Sequence, residues 1–142
     1  MRRKAREFAV QMLYALDLNP EPANAFLKVF WELNQAKPEI MDYATQLVKG
    51  TLDKQKVIDG LISSHSSHWK IDRMPVTDRN ILRLATFELL DESSVPSKVV
   101  INEAIELAKR FGTTDSATFI NGVLDSIHQE LLEAQKASET VS

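Results

Sequence analysis

Apolar residues recur at helical spacing along nearly the whole chain, and only four glycines and five prolines interrupt them in 142 residues. A period of 3.6 residues cannot present one apolar face from a pleated strand, and no convincing period-two segment occurs. The chain is therefore expected to be all-α. A first helix fits Arg2 to Leu18, with Ala5, Phe8, Ala9, Met12, Leu13 and Leu16 on one stripe and Asn19, Pro20 and Pro22 ending it. A short second helix fits Asn24 to Asn34 through Phe26, Val29, Phe30 and Leu33. Pro38, at a first turn, opens a third with Ile40, Tyr43, Ala44, Leu47, Val48 and Thr51 in step, and it can continue past Gly50 through Ile58, Leu61 and Ile62.

Ser63 to Pro75 is polar and aperiodic, and reads as a connection with at most one helical turn. Beyond it, Thr77 or Asp78 can cap a helix that buries Ile81, Leu82, Ala85 and Leu89. Pro96 at N1 starts the next helix, and Gly112 can stop it as a left-handed residue. A tight corner at 113 to 115 lets Thr114, Asp115 or Ser116 cap a last long helix with Ile120, Val123, Leu124, Ile127 and Leu131 inside. Gln135 to Ser142 lacks an apolar face and is expected to fray. The spacing predicts six to seven helices in a single domain over 1–142. They form two small helical bundles packed together, one over about 1–66 and one over about 76–134.

Composition narrows the chemistry. Cysteine is absent, which removes disulfide frameworks, thiolate metal sites and cysteine nucleophiles. No apolar run approaches the roughly 18 residues of a membrane span, and charged residues rather than a signal-peptide core follow Met1. A cytoplasmic protein with no membrane partner is expected. No G-x-S-x-G, Walker A or G-x-G-x-x-G motif is present, no cofactor is indicated, and the chain does not read as an enzyme. His65 and His68 stand at H-x-x-H spacing without a third ligand or a general-base Glu in a helical frame, so a polar loop explains them better than a metal site. Glu103 and Glu106 share a helix with Lys109 and Arg110, where ion pairing explains them better than acid-base catalysis.

The net charge of −3 hides a polarity. Residues 1 to 6 hold Arg2, Arg3, Lys4 and Arg6 and no acid, leaving 13 of the 17 basic residues and all 20 acidic ones to the other 136 positions. At about 100° per residue, Arg3, Lys4, Glu7, Gln11 and Tyr14 fall opposite the apolar stripe, and Arg2 and Arg6 flank it. Guanidinium groups grip phosphate in pairs, Gln11 can bond a base edge, and an exposed Tyr14 offers a ring to an unstacked base. That is a surface for single-stranded RNA, or else a solvated first helix. The macrodipole disfavours cations at a helix N-terminus by a few tenths of a kcal/mol each, which counts against the solvated reading.

The corner between Pro96 and Asp125 carries a second group. Asp115, Phe119 and Gly122 are spaced four and three apart, on a face turned roughly 100° from the apolar stripe of the last helix. Phe119 fits either an RNA-facing shoulder or packing against the preceding helix, and Gly122 either an open backbone or a tight helix crossing. Asn102 and Asn121 fit interior or capping amides.

Three segments, RRKAREFAVQMLY at 2 to 14, VTDRNILRLATFELL at 76 to 90 and VPSKVVINEAIELAKRFGTTDSATFINGVLD at 95 to 125, resemble the NusB family of bacterial transcription antitermination factors. The stretch from Asp17 to Lys70 is generic helical sequence. The resemblance implies an all-helical, non-enzymatic protein that binds the box A element of nascent ribosomal RNA leaders together with NusE, the free form of a small-subunit ribosomal protein. It also implies assembly with NusA and NusG on elongating RNA polymerase. Carried over by position, the RNA surface is Arg2, Arg3, Lys4, Arg6, Gln11, Tyr14, Asp115 and Phe119, and NusE contacts fall on Asp78 and Arg83. The residues Ile71 to Val76 diverge from the family pattern, Phe87 replaces a frequent Tyr, and the tail is longer than usual. Some members self-associate, and a homodimer would hide the basic helix until RNA or NusE displaces the second copy; monomer and homodimer both fit. A helical protein-protein adaptor that ignores RNA is the alternative. Ribosomal RNA cytosine methyltransferases carry a similar domain, but this chain has no glycine-rich nucleotide-binding unit.

Overall fold

The computed structural model describes residues 2–66, 70–91 and 95–141. Seven α-helices account for most of them: α1 Arg2–Leu18, α2 Ala23–Leu33, α3 Pro38–Asp53, α4 Gln55–His65, α5 Val76–Leu90, α6 Ser97–Phe111 and α7 Ser116–Val141. A single 3-10 turn, Ile71–Arg73, lies in the connection before α5, and no strand occurs among the described residues. The first helix has the expected bounds. The third is two helices, broken at Lys54, whose N–H still bonds Gly50 O as the cap of α3. Gly50 itself lies inside α3, where a side chain would run into the Phe87 ring of α5. Glycine there is a packing requirement between two helices.

Helix α5 is the centre of the molecule, packing against α1, α3, α4, α6 and α7. Its Ile81, Leu82, Leu84 and Ala85 are buried together, with Thr86 and Asn80 beside them, a wider buried surface than one stripe allows. A helix surrounded by neighbours hides most of its circumference. The core is one continuous cluster that joins Ala5, Ala9 and Met12 of α1 to Leu47 and Val48 of α3, Ile58 and Ile62 of α4, Val100 and Ala104 of α6, and Ile120 and Leu124 of α7.

Helix ends depart from the expected chemistry. Pro75 and Pro96 occupy the N-cap positions of α5 and α6, with no side-chain cap bond from Thr77 or Asp78. Gly112 ends α6 in extended geometry, φ −97° and ψ −167°, so it is not left-handed. A side chain there would meet Ser116 and the Ala108 carbonyl, which makes it a close approach. Ser116 Oγ accepts the Thr113 N–H at 2.9 Å and turns the chain into α7. Helix α7 continues through Gln135 to Val141, and residues 128 to 141 contain no Gly or Pro to stop it. Val29 and Leu33 of α2, expected inside, are 52% and 78% exposed, and only Leu27 of that helix is buried.

Candidate nucleic-acid interface

The basic end of α1 divides by burial. Arg2, Arg3 and Lys4 are exposed, as are Gln11 and Tyr14 on the same helix, with Tyr14 at 40%. Arg2 lies with its guanidinium 5.2 Å from the centre of the Tyr43 ring, a cation–π contact that tethers it to α3. Lys4 stands 5.0 Å from the Phe8 ring centre. Arg3, Lys4, Gln11 and Tyr14 share one solvent-facing side of α1, whereas Arg2 flanks it on the side of α3, beside Tyr43.

Arg6 is the exception, and the expectation that it lies on this surface is corrected. Only 3% of it is exposed, and its Nε and Nη2 donate to the two carboxylate oxygens of Glu88 at 2.8 and 2.9 Å. Burial opposes the charge on Arg6, but the hydrogen bonds and the charge of Glu88 outweigh it and hold the guanidinium protonated, above its ordinary range. Its place follows from α1 packing on more than one helix. Packing on α3 and α5 buries Arg6 and Val10 as well as the apolar stripe.

Helix α6 brings a second set of charges to α1. Arg3 Nε donates to Glu103 Oε2 at 3.0 Å, and Arg110 Nε lies 3.3 Å from Glu7 Oε2. Both pairs ascend together, so α1 and α6 run in the same sense where they face each other. Glu103 raises the pKa of Arg3 through its hydrogen bond, keeping it fully cationic. An open groove of about 290 Å³ lies between these side chains, with Lys109 and Arg110 on its far rim. Those two cations, 62% and 59% exposed, are the residues that sequence reasoning assigned to ion pairing alone. Lys109 does pair with Glu106, at 3.6 Å. The signal that could have flagged them was two adjacent cations in the last turn of a helix that ends at the corner.

That corner is tied to α1 through Arg110 and Glu7. Asp115 is exposed at the start of α7, and its carbonyl accepts the Phe119 N–H at 3.2 Å. Phe119 is half-buried and packs on the core with one side, so it serves both readings at once. Gly122 is open: a Cβ there would meet nothing within 4 Å, and no tight crossing uses it. Asn102 is exposed and Asn121 partly so.

Asp78 and Arg83 do not form a shared exposed patch. Asp78, 5% exposed, accepts a hydrogen bond from Ser116 Oγ at 2.8 Å and joins α5 to α7. Arg83, 7% exposed, donates to Asp59 at 2.8 and 3.1 Å and to Asp17 at 3.0 Å, joining α5 to α4 and α1. Five residues along a helix place them about 140° apart, so they face different neighbours. Asp17 also accepts from Arg79 at 2.6 and 2.9 Å and from Asn80 at 2.8 Å. Burial pushes its carboxyl up, yet these bonds and the charge of Arg83 hold it below the ordinary carboxylate range.

His65 closes α4 against α7, with Nδ1 2.5 Å from Ser126 Oγ and Nε2 3.1 Å from Glu130 Oε1. His68 lies outside the described residues. Among those that are described, no group of three His, Cys, Asp or Glu side chains could hold a metal ion, and no helix is long and apolar enough to cross a membrane.

Comparison with known proteins identifies the family and the fold. The NusB family model matches residues 3–129. The chain is 42% identical over 138 residues to the transcription antitermination protein NusB of Desulfatibacillum aliphaticivorans, covering 97% of this chain and 96% of that protein. It is similar in structure to T. maritima NusB, with a TM-score of 0.82 at 36% identity and 92% of each chain covered. A further structure, of antitermination factors NusB and NusE in complex with double-stranded RNA, gives a TM-score of 0.80 at 32% identity, covering 91% of this chain and 96% of that one.

Proposed function

The chain belongs to the NusB family, and from that premise we propose that it is a transcription antitermination factor that binds the box A element of nascent ribosomal RNA leaders together with NusE. The observation that carries the RNA reading is the exposed strip of α1, where Arg2, Arg3 and Lys4 lie on the same helix as Gln11 and Tyr14. Phosphate contacts from the three cations set the register of a short RNA, and the aromatic ring stacks an exposed base. Asp115 and Phe119, joined to α1 through the last turn of α6, extend that surface to the corner. Arg6 serves it from inside the protein.

The complex would act by changing the behaviour of elongating RNA polymerase, with NusA and NusG, and not by catalysing a reaction of its own. Asp78 and Arg83 are buried and paired, so they influence a NusE surface through the helices they fix. A homodimer that covers the basic strip is a compatible resting state.

Fluorescence anisotropy with box A and scrambled RNA, in single- and double-stranded form and with and without NusE, tests the proposal. Tighter binding of box A, strengthened by NusE, is expected. Equal affinity for box A and scrambled RNA would remove sequence-specific recognition. Binding to NusE that ignores RNA and survives removal of residues 2 to 6 would favour a protein adaptor.

A further inference from the structure

A file of alternating charges runs from the core to the surface at the basic end of α1. It begins at Glu88, passes to Arg6 through two hydrogen bonds, reaches Glu103 with Arg6 Nη1 4.0 Å from Oε1, and ends where Arg3 Nε donates to Glu103 Oε2 at 3.0 Å. Exposure rises along it, from 4% for the side chains of Arg6 and Glu88 to 18% for Glu103 and 60% for Arg3. We propose that this file positions Arg3 for an RNA phosphate, with Glu103 as the positioning residue and Arg6 acting through it without touching RNA. The proposal rests on the RNA-binding reading above.

The geometry favours positioning over simple neutralisation. Glu103 engages the inner nitrogen of Arg3 and lies deeper than the guanidinium it holds. The bond uses Nε, leaving the terminal nitrogens for the fork-shaped contact that phosphate takes from arginine. An exposed arginine loses rotamer freedom when it grips a ligand, and a carboxylate that already holds it lowers that loss. The other oxygen of Glu103 faces the Arg6 guanidinium, 4.0 Å from Nη1, and Arg6 is itself buried and doubly bonded to Glu88.

The same carboxylate also repels phosphate, and the two effects have opposite signs. If Glu103 only repels, its removal tightens RNA binding; if it positions Arg3, removal weakens binding despite the lost negative charge. The test measures box A affinity by anisotropy across a salt series for the unaltered chain, Glu103→Ala, Glu103→Gln, Arg3→Ala and the Arg3→Ala/Glu103→Ala pair. Nitrogen relaxation of Arg3 Nε in the free protein is measured alongside.

Glu103→Ala is expected to weaken binding about three- to tenfold. It should also flatten the salt dependence nearly as much as Arg3→Ala does. Glu103→Gln, which keeps a carbonyl acceptor for Nε, should recover most of the loss, and Glu103→Ala should cause no further weakening once Arg3 is gone. Tighter binding by Glu103→Ala, or equal weakening with and without Arg3, overturns the positioning role. An Arg3 Nε as mobile in the unaltered protein as in Glu103→Ala overturns the charge file itself, whatever RNA does. An ordered Arg3 Nε in a chain that binds no box A RNA means that the RNA reading has failed, and the positioning role falls with it.

Discussion

Arg6 and Glu88 meet in the core of this protein through two parallel hydrogen bonds of 2.8 and 2.9 Å, although 82 positions separate them in the chain. The pair joins α1 to α5, and both side chains are almost wholly enclosed. A planar guanidinium facing a carboxylate in this way is the arrangement that lets two charges leave water without either being left unpaired.

Removing one partner should therefore be far worse than removing both. Glu88→Ala leaves a buried guanidinium without its hydrogen-bonded carboxylate and is expected to cost about 3 to 5 kcal/mol, whereas Arg6→Met combined with Glu88→Leu should recover most of that. Urea unfolding of the three proteins measures it. A single variant that costs under about 1 kcal/mol would mean that solvent reaches the pair.

Tyr14 and Phe119 should separate by what else they lose. Tyr14→Ala on the exposed strip is expected to lower RNA affinity about tenfold while leaving the unfolding midpoint almost unchanged. Phe119→Ala should lower both, since one side of that ring packs on the core. Paired anisotropy and thermal unfolding read the two outcomes, and a Phe119→Ala protein of full stability with full RNA affinity would contradict both of its assigned roles.

Two glycines inside helices should respond to alanine with opposite signs. A Cβ at Gly60 of α4 meets nothing within 4 Å, so Gly60→Ala should stabilise by about 0.5 to 1 kcal/mol through helix propensity. Gly50→Ala of α3 runs into the Phe87 ring and should destabilise by about 1 to 3 kcal/mol. Phe87→Leu in the Gly50→Ala background should relieve part of the loss, as chemical denaturation would reveal.

Acid should act through Asp17. Its carboxyl lies below the ordinary value near 3.9 when the protein is folded, so the folded state binds fewer protons than the unfolded one across that window. The stability it contributes is complete above about pH 4 and is lost as pH falls through the lower folded value. Asp17→Asn should lower stability at neutral pH and make the stability curve flatter below pH 4 than that of the unaltered chain. Denaturant unfolding at pH 7, 4 and 3 measures the difference, and parallel curves would show that Arg79 and Arg83 do not depend on that charge.

Phe119 and Arg6 show where legibility ended. Helix angle alone put Phe119 on the shoulder of α7, and the shoulder is where it lies, half in the core. The same angle put Arg6 at the edge of the apolar stripe of α1, but an edge position becomes surface or core according to how many helices pack against it. For α1 that number is at least two, and the second, α5, is 58 residues away in sequence at its nearest. Asp78 and Arg83 were similarly unreadable as buried, because the groups that enclose them, Ser116, Asp59 and Asp17, belong to other helices.

By itself the sequence determined an all-helical chain, the bounds of α1, the places where α5, α6 and α7 begin to within three residues, and a cationic pole at one end. These are local properties, set by a 3.6-residue period, by prolines and by the absence of acid in six positions. Only the tertiary structure decided which charges of that pole face solvent and which are enclosed. It also paired Arg3 with Glu103 and Arg110 with Glu7, and made Gly50 the seat of Phe87. Those outcomes depend on which helices become neighbours, and a buried charge is settled by the partner it meets across the fold rather than by the residues beside it in the chain.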